Sequence, residues 1–164
     1  MKKKILLGLL AILVIIQFFR PAENVSGEKT NDISTKYAVP SNVKLILDKA
    51  CADCHSNKTV YPWYANLQPV AWWLGSHVND GKRHLNFNNF THMKIAVQNK
   101  KMQECIEQVK QGEMPLSSYT LIHTNATLTD AEKQTLYNWC NSIIDTIKAN
   151  YPADSLILQK RKWD

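Results

Sequence analysis

Glycine is scarce in this chain, five residues in 164, and nowhere do apolar and polar residues alternate convincingly over the length of a strand pair. A sheet protein is thereby excluded and an all-α domain expected. No internal repeat is visible, which removes solenoid architectures. Nor is there a basic patch interleaved with aromatic residues. The formal charge is +6, yet Lys2, Lys3, Lys4 and Arg20 merely flank an N-terminal apolar run. Without those four, 16 basic residues face 14 acidic ones, so nucleic acid is not an expected partner. The length suits one domain with appendages.

The apolar run extends from Ile5 to Phe19, broken only by Gln17. It is apolar on all faces, unlike a helix that covers a core. Its length is at the upper end for a signal-peptide core and short for a comfortable membrane span. No Ala-x-Ala cleavage site follows it, and the first cysteine, Cys51, is too distant for lipoprotein processing. Residues 1–20 are therefore expected to be an uncleaved single-pass anchor in the cytoplasmic membrane. Its lysines stay inside and the rest is placed in the periplasm or otherwise outside the cytoplasm. Residues 21–40 are polar, lack a hydrophobic period and are bounded by Pro21 and Pro40, which predicts a flexible linker holding a domain off the membrane.

Four helices are expected in a domain over residues 41–150. Ser41 is a candidate N-cap, with Val43, Ile46, Leu47 and Ala50 on one face. A second helix begins near Pro69, buries Val70, Trp73, Leu74 and His77, and stops at Asn79-Asp80-Gly81. Residues 85–90, "LNFNNF", read as loop. A third helix runs from about Met93 to Gln111, with Met102, Cys105, Ile106 and Val109 inward and Gly112 as its stop. After a long connection, Thr129-Asp130-Ala131-Glu132 forms a capping box. It opens a helix striped by Leu136, Trp139, Cys140, Ile143, Ile144 and Ile147. The tail, 151–164, carries no clear signal.

Cysteine is limited to four residues, and two of them stand three apart in "DKACADCHS", followed at once by His55. Cys-x-x-Cys-His is the attachment signature of c-type haem. On a helical turn Cys51 and Cys54 face one side, so both sulfurs reach the two vinyl groups of one porphyrin. His55 then presents a ring nitrogen to the iron while the other nitrogen donates to a carbonyl. A zinc site needs a second close pair of ligands, and Cys105 and Cys140 lie 35 residues apart in separate apolar stripes. A thioredoxin-like dithiol needs a preceding strand in a βαβ unit, which is missing. One covalent haem c is expected. Its distal ligand is expected to be Met114 in "QGEMPLSSY", where Pro115 stiffens the backbone, with His77 as the alternative. The aromatic residues at 61–73 are candidates for the haem wall, and Trp63 or Arg83 for a donor to a propionate. Cys105 and Cys140, both inward and exported, are a candidate disulfide.

The order of helix, "CADCH", aromatic loop, helices, "GEMP" and a capped last helix containing Trp139 resembles cytochrome c. The stretches "TVYPWYANLQPVAWWLGSHVNDGKRHLNF" and "GEMPLSSYTLIHTNATLTDAEKQTLYNW" look more closely like the bacterial haem-binding domain family of small monohaem, cytochrome-c-like proteins. The resemblance covers about residues 43–142. It implies a cytochrome-c-like helical fold around one haem attached at Cys51 and Cys54, with His55 and Met114 as axial ligands. Leu116 stands where many cytochromes c have a second proline. The expected role is that of a membrane-tethered monohaem electron carrier with an unknown redox partner protein. The alternative is a haem sensor or peroxidase-like enzyme with an open distal site.

Overall fold

The computed structural model describes residues 1–158, so residues 159–164 of the expected tail lie outside the described part. Among the described residues every regular element is helical. The helices are α1 (Lys2–Ile16), α2 (Ser41–Ala50), α3 (Ala52–His55), α4 (Val70–His84), α5 (Ile95–Gln111), α6 (Ser117–Ile122) and α7 (Asp130–Asn150). Short 3₁₀ turns join them.

The core is built where α5 lies along α7, with α2 packed on α7. Met102 of α5 and Leu136, Cys140 and Ile147 of α7 are fully buried. The predicted stripe of α7 is the buried one. Its capping box forms as expected: the Thr129 hydroxyl accepts from the Glu132 N–H, and the Glu132 carboxylate accepts from the Thr129 N–H. Gly112 ends α5 in the left-handed conformation, φ 75°, where any other residue carries a Cβ penalty. Pro40 rather than Ser41 occupies the cap position of α2, and no side chain caps that helix.

Three further sequence expectations are corrected. Residues 21–40 are not a free linker. Ile33 and Tyr37 are buried in the main core, the Tyr37 hydroxyl donates to Gln98 Oε1 at 2.7 Å, and Trp139 Nε1 donates to the Ala38 carbonyl at 2.9 Å. Two buried apolar residues four apart, together with these hydrogen bonds, pin the polar segment to the domain. Secondly, α4 does not stop at Gly81 but continues to His84. Thirdly, the 112–128 connection contains α6 and a 3₁₀ turn at Thr124–Ala126. The described part of the tail also docks, with a turn at Ala153–Leu156 placing Leu156 against the core.

The helix α1 stands apart. None of its residues is buried, and its leucines, isoleucines and valine from Ile5 to Ile15 are each more than half exposed. Fifteen residues at about 1.5 Å each give about 22 Å. No helix among the described residues is long and apolar enough to cross a membrane.

Candidate functional site

The turn α3 carries the motif. It begins as α2 ends, and the His55 N–H bonds back to the Cys51 carbonyl at 2.9 Å. Cys51, Cys54 and His55 consequently face one cavity of about 690 Å³. Met114, Pro115 and Leu116 line the same cavity. That volume lies within the roughly 300–1,000 Å³ of small-molecule and cofactor sites.

The orientation of His55 is set by the segment the sequence leaves as loop. His55 Nδ1 is 2.8 Å from the Leu85 carbonyl oxygen, so Nδ1 carries the hydrogen and Nε2 keeps its lone pair. Burial lowers the His55 pKa, which favours the neutral ring, the form able to bind a metal. Phe87 packs its ring between His55 and Trp139, with centroids 6.4 and 6.3 Å away. Asparagines fix this loop. Asn88 Oδ1 accepts from the Asn57 N–H at 2.8 Å, Asn86 Nδ2 donates to Asn57 Oδ1 at 2.8 Å, and Asn57 Nδ2 donates to the Glu28 carbonyl at 2.8 Å. The residues after the motif, the loop and the 21–40 segment are thus one hydrogen-bonded unit.

Gly81 explains why α4 continues past the expected stop. A Cβ there would lie 2.6 Å from the Cys54 carbonyl oxygen and 2.9 Å from its Cβ. Only glycine lets α4 approach the motif so closely. On either side of it along the same face, His77 and His84 also line the cavity. Each points Nδ1 at a backbone oxygen of its own helix, Trp73 at 2.9 Å and Asp80 at 2.8 Å. His84, which after Gly81-Lys82-Arg83 is expected to be exposed, is exposed and also lines the cavity.

The motif's intervening residue Asp53 holds the far side. Its carboxylate accepts from the Val60 N–H at 2.9 Å and from the Tyr119 hydroxyl at 2.7 Å. Burial, and then the bonded Asp53 carboxylate, push the Tyr119 hydroxyl above its usual range. Tyr119 stacks on His123 with centroids 4.3 Å apart, and His123 Nε2 meets the Tyr64 hydroxyl at 2.8 Å. His123, unremarkable in the sequence, therefore helps fix α6 beside the motif.

Two expected donors are misplaced. Trp63 is 77% exposed and does not line the cavity. Arg83 projects from the outer face of α4, opposite Gly81, and pairs with Asp80 at 2.7 Å. The polar wall is instead supplied by α5, where Lys101 and Glu104 pair at 2.6 Å among the lining residues. Cys105 lines the cavity too. The expected Cys105–Cys140 disulfide is replaced by two free thiols. The neighbouring Cys105 thiol, and then burial, push Cys140 up. Burial also raises Cys51, and raises Cys54 to about 11.

The residues fit a haem: two thiols, a pre-oriented imidazole, a thioether and apolar side chains line one cavity. Comparison with known families agrees, since the model of the haem-binding domain matches residues 11–142. The chain belongs to the haem-binding domain family. No curated protein and no solved structure matches it. The match begins inside α1 and includes the docked 21–40 segment, so this haem-binding domain is longer at its N-terminal side than the sequence resemblance of 43–142 suggested.

Proposed function

We propose that this haem-binding domain is a membrane-tethered monohaem c-type electron carrier, working outside the cytoplasm. The observation that carries the reading is the His55 Nδ1–Leu85 carbonyl bond of 2.8 Å. It leaves Nε2 as a ligand in the same cavity that Cys51, Cys54 and Met114 line. In this reading Cys51 and Cys54 would hold the haem through thioether bonds, each made by addition of a thiol to a vinyl group, which needs no oxidant. His55 and Met114 would be its protein ligands. When bound, the haem supplies a one-electron couple, and thioether ligation raises its potential. The chain's own share would be to hold the His55 and Met114 side chains toward the cavity, exclude water with Phe87, Leu85 and Leu128, and keep the imidazole neutral.

Because His77 also lines the cavity, histidine ligation or an open distal position for a sensor or peroxidase is the competing reading. Carbon monoxide added to the reduced protein separates them. Wild type and His77→Ala are expected to bind it slowly, and Met114→Ala rapidly, with loss of the methionine-to-iron absorption of the oxidised form. Rapid binding by wild type favours the open site, and rapid binding only by His77→Ala makes His77 the ligand.

A further inference from the structure

At its C-terminal end α1 is not hinged. Gln68 is buried, and all its polar atoms are engaged. Its backbone N–H donates to Gln17 Oε1 at 3.0 Å, and its carbonyl accepts from Gln17 Nε2 at 3.3 Å. Its side-chain nitrogen donates to the Phe19 carbonyl at 2.7 Å, and its side-chain oxygen accepts from the Trp72 N–H at 3.2 Å. Trp72 Nε1 donates to the same Phe19 carbonyl at 2.8 Å. Arg20 reaches Asn66 Oδ1 at 2.9 Å, and Pro21 packs on Gly75, where a Cβ would meet its ring at 3.2 Å. The joint fixes the direction in which the apolar helix leaves the domain.

Around that joint lies an uncovered apolar face. Phe18, Phe19, Trp63, Leu67 and Trp72 are 82, 63, 77, 49 and 42% exposed, continuous with the bare surface of α1. Large exposed aromatic patches on a soluble surface are uncommon and mark interaction sites. The length of α1 indicates what covers this one. Its roughly 22 Å falls about 8 Å short of a hydrocarbon core of about 30 Å. Phenylalanines and indoles gathered at one end of an apolar helix, with lysines at the other, have the composition of the membrane–water interface.

We infer that the haem domain is seated on the bilayer, with Phe18, Phe19, Trp63, Leu67 and Trp72 sunk in the interface around α1, rather than held off on a tether. The inference rests on the membrane reading of α1 and adds the orientation: α4 and the cavity it walls are held at a fixed height above the lipid. The redox partner must therefore approach from the side or from above.

The test uses the full, haem-loaded chain in vesicles of phosphatidylcholine and phosphatidylglycerol. These contain a small share of lipid bearing a photoactivatable carbene precursor high on its acyl chain. After illumination, adducts are mapped by mass spectrometry. Labelling of α1 together with residues 61–73, and not of α2 (which carries the exposed Leu45), is the expected result. In Trp63→Glu/Leu67→Glu, labelling of 61–73 is expected to fall to the α2 level while that of α1 persists. Labelling of α1 alone in wild type overturns the seating and leaves the anchor standing. Labelling of neither overturns both, and equal labelling of α2 and 61–73 overturns the seating.

Discussion

A single missing side chain decides whether the motif and α4 can pack together. Gly81→Ala places a methyl group 2.6 Å from the Cys54 carbonyl oxygen. A backbone atom cannot yield as a flexible side chain does. The expected cost is about 1–3 kcal/mol by denaturant melting, as for other overpacked sites, with reduced haem content at equal expression. A change below about 0.5 kcal/mol, the ordinary surface range, would mean that α4 slides freely over the motif. At this scale the chemistry is legible in the sequence, because Cys51, Cys54 and His55 are neighbours along the chain. Gly81 is not. Beside Asn79 and Asp80 it reads as punctuation, since a close approach between segments 27 residues apart leaves no local trace. The same holds for His84 and His123, whose roles come from partners on the cavity wall or α6.

Among the elements, α7 was the most readable, because both its cap and its stripe are local patterns. The cap also gives it a titration. The Lys49 ammonium, at 2.7 Å, and the Thr129 N–H hold Glu132 down at about 2 from 4.5. A depressed carboxylate stabilises the fold fully above the unfolded value and ceases to do so as pH falls through the folded one. Glu132→Gln keeps the capping hydrogen bond but loses the ion pair. Its expected cost at neutral pH is about 0.2–1 kcal/mol, the range of exposed pairs. That difference from wild type should shrink from pH 4.5 downward and vanish near pH 2. A difference independent of pH would contradict the pairing. The segment 85–90 is a loop as expected, with a 3₁₀ turn at Phe87–Asn89, but its role is illegible for the opposite reason. Its asparagines are usual turn formers, and nothing local says that they bond to Asn57 and so fix the Leu85 carbonyl for His55.

For the molecule as a whole, the chain is continuous from α1 through the docked 21–40 segment to α7. Ile33 is 3% exposed, so Ile33→Ala should lose about 2–5 kcal/mol, as buried large-to-small changes do. A position in a free linker would lose almost nothing, and that outcome would detach the segment from the core. The segment is polar overall, and composition alone cannot show that two well-spaced apolar residues reach a groove on α5 and α7. The central claim concerns the cavity that these parts enclose. Protein purified from its native host, denatured and reduced, then digested, gives a direct measurement by mass spectrometry. The peptide containing Cys51, Cys54 and His55 is predicted to carry one haem through two thioether bonds. Recovery of that peptide with both cysteines as unmodified thiols would contradict the account.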